Sequence, residues 1–220
     1  MSMRVIKHLY FILLLFTQSA YAQTPDFIFV FLNRKMDKTE LPEEEVKKIM
    51  EGHLANINRL AKEGKLTAAG PFDEGGGIFI FNSHSIEQVQ EWLKTDPGIQ
   101  AKRWNIEVLP YYPRLGSVCA VSEPYQMVTY QFIRYTPNVT KYNINQLPEI
   151  FRKHHEYLKS LSSSADVVTE AIFGESDGGV FVIDGELGRE VIENDPAVLN
   201  GSLDVDVKKL WIAQGAFCEK

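Results

Sequence analysis

The chain alternates between two hydrophobic periods, and it runs through the alternation twice. Phe27-Ile28-Phe29-Val30-Phe31-Leu32 is an unbroken apolar run rich in aromatic and β-branched residues, the pattern of a strand buried on both faces. From Pro42 the period becomes helical. Val46, Ile49, Met50, His53, Ile57, Leu60 and Ala61 fall on one stripe, with Glu43, Glu44, Lys47, Lys48, Asn56 and Lys62 on the other side. Pro42 suits a first turn and Gly64 a stop. Two strands are predicted next, Leu66 to Pro71 and Gly77 to Phe81, joined by the turn Asp73-Glu74-Gly75-Gly76. Ser85 with Gln88 forms a capping box before Val89, Trp92 and Leu93, a short helix ended by Asp96-Pro97, and Ile106 to Tyr111 is the last strand.

The second half lies over the first in a consistent register. His53-Leu54 matches His154-His155, Gly76 to Phe81 matches Gly178 to Ile183, and Asp96-Pro97 matches Asp195-Pro196. Each cysteine, Cys119 and Cys218, stands 23 residues past its aspartate. Met127 to Tyr135, a helix striped by Leu147, Ile150, Phe151, His154, Leu158 and Leu161, the strands Val167 to Phe173 and Gly179 to Ile183, and Leu203 to Ile212 repeat the βαββαβ order. A four-stranded antiparallel sheet with both helices on one face needs a cover for the other. In a duplicated chain that cover is the sibling's sheet. The expected fold is therefore α+β, two ferredoxin-like units packed sheet to sheet within one chain, and a monomer satisfies it. The expected organisation is a leader over 1–22, a first copy over 23–114, a linker over 115–124 and a divergent second copy over 125–220.

The leader is read from its basic start (Arg4, Lys7), its apolar run from Leu9 to Phe16 and the small-x-small site Ala20-Tyr21-Ala22. The run falls short of the ~20 residues that span a bilayer, so a secreted or periplasmic chain with no membrane span after cleavage is expected. Cleavage leaves 198 residues (220 less 22) and shifts the formal charge from −6 to −8, because Arg4 and Lys7 leave with it. That acidity disfavours nucleic acid as a partner. In an oxidising compartment Cys119 and Cys218 are expected to pair; a nucleophilic role is the rival reading, although neither lies in a CxxC. Asn138-Val139-Thr140 and Asn200-Gly201-Ser202 satisfy the glycosylation sequon, which matters only in a eukaryotic secretory pathway.

His53 and His154 occupy stripe positions otherwise filled by large apolar groups. One reading is a core histidine bonded to backbone. The other is a neutral base held in one tautomer by a carboxylate, with Asp96 and Asp195 as candidates where the chain turns back toward the sheet; aspartate before proline also simply makes turns. Arg34, Arg103 and Arg134 are candidates to hold an anionic substrate, Arg34 and Arg134 foremost because each follows the first strand of its copy. Asp73 and Asp177 sit in the glycine-rich hairpins and could approach the same cavity. Nothing resembles HExxH or a phosphate-binding loop, so neither metal nor cofactor is expected.

His53-Leu54, Gly64-Lys65-Leu66, Ala69-Gly70-Pro71-Phe72, Gly76 to Phe81, Asp96-Pro97-Gly98 and Val108-Leu109-Pro110-Tyr111 together resemble a YCII-related domain over about residues 27 to 112. The resemblance implies the dimeric α+β barrel superfamily and a His-Asp active-site pair, here His53 with Asp96. Some relatives act as dehydrochlorinases or isomerases on small ring compounds. The leading reading is a cofactor-free lyase or isomerase in which His53 takes a proton and Asp96 orients its ring, as the resemblance implies, while Arg34 and Asp73, taken from their positions, meet a small anionic or aromatic ligand. The alternative is a non-catalytic binding or scaffold protein of the cell envelope. The second copy keeps His154 and Asp195 but replaces Gly70-Pro71-Phe72 by Ile172-Phe173-Gly174, which makes it mainly the structural partner.

Overall fold

The computed structural model describes residues 24–174 and 178–219; the leader over 1–22 and Asp177 lie outside them. The first half runs β1 (Phe27–Arg34), α1 (Glu43–Lys62), β2 (Leu66–Pro71), β3 (Gly77–Phe81), α2 (Ile86–Leu93), α3 (Pro97–Gln100) and β4 (Trp104–Leu115). A short β5 (Ser117–Val118) precedes the second half: β6 (Met127–Pro137), α4 (Leu147–Ser162), β7 (Val167–Ile172), β8 (Gly179–Ile183), α5 (Arg189–Glu193), α6 (Pro196–Leu199) and β9 (Leu203–Ala213). β10 (Phe217–Cys218) follows.

Local chemistry sets the ends of α1. Glu43, Glu44 and Glu45 fill its first turn and Arg59 and Lys62 its last, both favourable to the helix dipole. Gly64, at φ +68°, completes a Schellman closure in which Lys65 N–H donates to Leu60 O and Gly64 N–H to Ala61 O. Ser85 caps α2 as its sequence predicts, its hydroxyl accepting from Gln88 N–H.

Each half places its strands in the same order, β2-β3-β1-β4 and β7-β8-β6-β9, all neighbours antiparallel. The halves do more than face each other. β4 pairs with β7 through Tyr112↔Ile172 and Pro113↔Ala171. At the other junction Phe72 bridges Leu210, and Asp73 N–H donates to Lys209 O. Eight strands thus close on themselves as an α+β barrel, which leaves the four-stranded sheets without long bare edges.

The unbroken apolar run of β1 serves two cores. Phe29 and Phe31 point into the barrel, where Phe72, Phe132 and Phe173 meet them; Ile28, Val30 and Leu32 point outward beneath α1 and α2. The ring centroids of Phe29 and Phe173 lie 5.3 Å apart, and those of Phe72 and Phe132 5.2 Å apart. A third cluster lies under α4.

Ladder register gives a residue-by-residue equivalence between the halves. Val30 opposite Phe79 corresponds to Ile133 opposite Phe181, so Phe31 corresponds to Arg134 and Leu32 to Tyr135. Arg134 therefore lies inside its strand rather than after it. Its guanidinium sits 3.9 Å from the centroid of the Phe31 ring and bonds Glu107 Oε1 at 2.7 Å. The hairpins also align differently from their sequence motifs. Phe72 N–H bonds Gly76 O and Phe173 N–H bonds Gly178 O, so Phe173 is the counterpart of Phe72 and the extra residue falls within the turn.

The stretch expected as linker is partly sheet. β4 runs to Leu115, and β5 pairs with β10 through Val118↔Phe217. Beside that ladder Cys119 and Cys218 form a disulfide, as expected, with Cα atoms 6.0 Å apart and a sequence separation of 99. Among the described residues no helix is long and apolar enough to cross a membrane.

A loop of this length predicts that reducing the disulfide removes up to about 4.7 kcal/mol of stability by the chain-entropy model. Urea denaturation with and without reductant, alongside thiol alkylation before and after reduction, measures it; an unchanged midpoint with both thiols alkylated would contradict the prediction.

Candidate functional site

Both histidines meet the aspartates named for them. His53 Nδ1–H donates to Asp96 Oδ2 at 2.8 Å, and His154 Nδ1–H to Asp195 Oδ2 at 2.6 Å. A carboxylate only accepts, so Nδ1 carries a proton, and in the neutral ring Nε2 is the acceptor. Both aspartates are fully buried and both histidines are 6% exposed.

The Asp-Pro step does two jobs at once. Asp96 caps the one-turn α3, Oδ1 accepting from Gly98 N–H and Ile99 N–H, while Oδ2 takes His53 and, at 3.2 Å, Asn56 Nδ2–H. Asp195 does the same for α6 through Ala197 N–H. Burial works against a charge on Asp96, but the hydrogen bond and positive charge of His53, with the Ile99 and Asn56 donors, outweigh it and hold its carboxyl below the usual range. Asn56, placed on the polar side of α1 by its sequence, is in fact buried in this network.

Around the two dyads the halves part company. In the first, the His53 ring packs against Phe79 (centroid 5.8 Å) and Trp104 (4.8 Å). The indole reaches this place because residue 98 is glycine: a Cβ there would stand 2.5 Å from the Trp104 ring. Counting from the matched Asp-Pro steps, the counterparts of Gly98 and Trp104 are Ala197 and Leu203, and no indole covers His154.

Instead His154 lines a cavity of about 420 Å³ between α4 and the β7–β8 pair. Its apolar wall includes Tyr142, Leu147, Phe151 and Leu158. Its polar groups are Tyr135, His154, His155, Glu170 and Arg114. Register assigns three counterparts around the first dyad: Leu32 for Tyr135, Ala69 for Glu170 and, counting along β9 from Leu210, Ala213 of the second half for Arg114. Three polar groups therefore stand where the sibling has apolar ones. Arg114 comes from the other half and occupies the irregular step of the β4–β7 ladder, a bulge that re-aims it toward Glu170, 3.9 Å away.

Burial raises the Glu170 carboxyl above its ordinary range against the opposing pull of Arg114 and His154. Loss of hydration, then the charges of Arg114 and His154, push His155 down to about 4, so it is neutral at pH 7. Burial first, then Asp195, Tyr157 and Glu170, lift the Tyr135 phenol well above its usual value. Its hydroxyl has no hydrogen-bond partner among the described residues.

Two residues expected at the site are not assembled with a dyad. Arg34 is exposed at the end of β1, opposite Trp104 in the ladder, and makes no ion pair among the described residues. Asp73 is exposed at the hairpin, where its carboxylate accepts from Glu74 N–H. Arg103 likewise turns away, donating to Thr39 O. A second cavity, of about 450 Å³ beside α1 and residues 120–123, includes neither dyad. Among the described residues no group of three or more His, Cys, Asp or Glu is placed to hold a metal ion.

Residues 28–112, 85 of the 220, match the family model of the YCII-related domain. No curated protein matches the chain. The structure of an anthrone oxidase-like protein is similar at 8% identity and a TM-score of 0.50, covering 87% of this chain and 92% of its own. That likeness is one of fold. A heme-binding protein from Thermus thermophilus (7% identity, 87% and 94% covered, TM-score 0.43) is similar at lower score. So is a protein provisionally assigned as a monooxygenase from Lactobacillus acidophilus (13%, 90% and 100%, 0.43).

The first dyad carries a stability prediction. His53→Ala leaves a fully buried carboxylate without its imidazole hydrogen-bond donor and should cost roughly 1–3 kcal/mol or more in urea denaturation. Because the folded Asp96 carboxyl lies below its ordinary 3.8, its contribution is complete above that pH and is lost as pH falls through the window beneath it. Asp96→Asn should flatten the acid limb of the stability profile; an acid limb identical to the wild type's would refute the assignment.

Proposed function

We propose that the chain is an exported, cofactor-free lyase or isomerase of small ring compounds, and that its working site is the cavity at His154. The observation that supports this reading is the joint presence there of a base and room for a ligand. His154 turns its Nε2 lone pair away from Asp195, and the adjoining cavity of about 420 Å³ is walled by aromatic and aliphatic side chains. Such a lining suits a flat ring, and Arg114 at its edge suits an anionic substituent.

In this reading Nε2 takes a proton from carbon while Asp195 holds the ring in its tautomer and stabilises the imidazolium. The electron pair left on carbon either expels a leaving group from the neighbouring carbon, as in dehydrohalogenation, or moves along the ring system and is reprotonated elsewhere. Neither outcome needs a co-reactant. The first dyad, beneath Trp104, serves the fold. The barrel interior is already shared between two halves of one chain, so the site works in a monomer. Export, with the mature chain starting at Gln23, supplies the oxidising surroundings that keep Cys119 and Cys218 paired.

A screen of halogenated lactones, cyclic enones and substituted aromatics tests the proposal. Turnover should fall about 100- to 10,000-fold in His154→Ala, and by a smaller factor in Asp195→Asn. Turnover retained in His154→Ala would refute the base. Ligand binding with no turnover of any compound would favour the alternative, a binding protein.

A further inference from the structure

The hydroxyl of Tyr135, a residue on this cavity, is a polar atom that neither the dyad nor the fold accounts for. It belongs to a residue 1% exposed, whose ring packs edge-on against His154 with centroids 5.0 Å apart. No described residue bonds it. An unsatisfied buried hydroxyl is costly, and the other half shows that the position does not require one. Leu32, at the same step of the same strand, fills the equivalent place with hydrocarbon. The neighbouring differences run the same way, with Glu170 for Ala69 and Arg114 for Ala213, both on the cavity.

We infer that Tyr135 is a ligand-binding and catalytic group whose O–H holds the oxygen of a ring carbonyl compound, placing the acidic C–H of that compound at His154. The substrate class is then an enolisable cyclic carbonyl compound, and stable phenolates are its mimics. This deepens the proposed function and rests on its placement of the site.

The step balances without a co-reactant. His154 Nε2 forms a bond to the proton on the carbon next to the carbonyl. The C–H pair becomes the C=C bond of an enolate, and the carbonyl π pair moves onto oxygen. Tyr135 O–H donates to that oxygen and keeps its own proton, since burial and the surrounding carboxylates disfavour the phenolate. Return of the proton from Nε2 to another carbon of the conjugated system completes an isomerisation.

The test uses 4-nitrophenol, whose ionised form mimics the enolate and whose absorbance reports its ionisation, with the intact oxidised protein. Wild type should bind it in the cavity, with amide shifts at Phe151 and His154. Tyr135→Phe should bind it about 10- to 100-fold more weakly, the range for a hydrogen bond to a charged partner, and should melt at or above the wild-type temperature. Equal affinity in the variant, or no binding at these amides in wild type, would overturn the inference. So would a Tyr135→Phe protein that loses stability together with binding, because the hydroxyl would then be structural. The two proposals fail separately. Undiminished phenol binding in Tyr135→Phe beside His154-dependent turnover removes only Tyr135's role, whereas weakened binding without turnover removes only the reaction.

Discussion

Two four-stranded sheets that each carry helices on one face leave two apolar faces, and covering them against each other is the constraint from which the rest of the molecule follows. Phe29, Phe31, Phe72, Phe132 and Phe173 fill the space between them. Burying each such ring contributes roughly 1.5–3 kcal/mol, so together they outweigh any single polar contact. A base placed among them would need to displace several. Both His-Asp pairs accordingly lie outside that interior, in the layer between each sheet and its own helices.

The outer layers are built alike and finished differently. In the first, glycine at 98 lets Trp104 lie on α3 and cover His53. In the second, alanine and leucine take those places, and Tyr135, Glu170 and Arg114 bring polar groups to the strand side of the opening. Arg114 reaches it only because β4 continues past its own sheet to pair with β7. The site therefore depends on the barrel junction, and the cation of the second half's cavity is contributed by the first.

Much of this was legible from residues. Matching histidines on apolar stripes and matching Asp-Pro steps identified both dyads, and equal offsets to Cys119 and Cys218 accompanied a real disulfide. What escaped was whatever depends on register rather than type. Tyr135 ends an apolar strand and passes for core until β6 is laid on β1, when it falls opposite Leu32. Arg34 and Arg134 look equivalent in sequence but differ by three places in the ladder. Asn56 sits one residue from the stripe, near enough for its amide to reach Asp96. The cavity beside His154 also escaped, because it adjoins the half that carries fewer of the family's motifs.

That covered dyad bears on how such pairs are read. A carboxylate that caps a helix with one oxygen and binds an imidazole with the other ties α1 to α3, and its removal leaves an uncompensated buried group. The same holds for α4 and α6. Stability alone is thus sufficient reason for both halves to keep histidine and aspartate, whether or not either reacts. What separates the two pairs is the surroundings of the imidazole: an indole beside His53, but a cavity and an unsatisfied phenol beside His154. Two outer layers built on one plan make that difference visible within a single chain, because the first shows what the fold needs and the second what has been added to it.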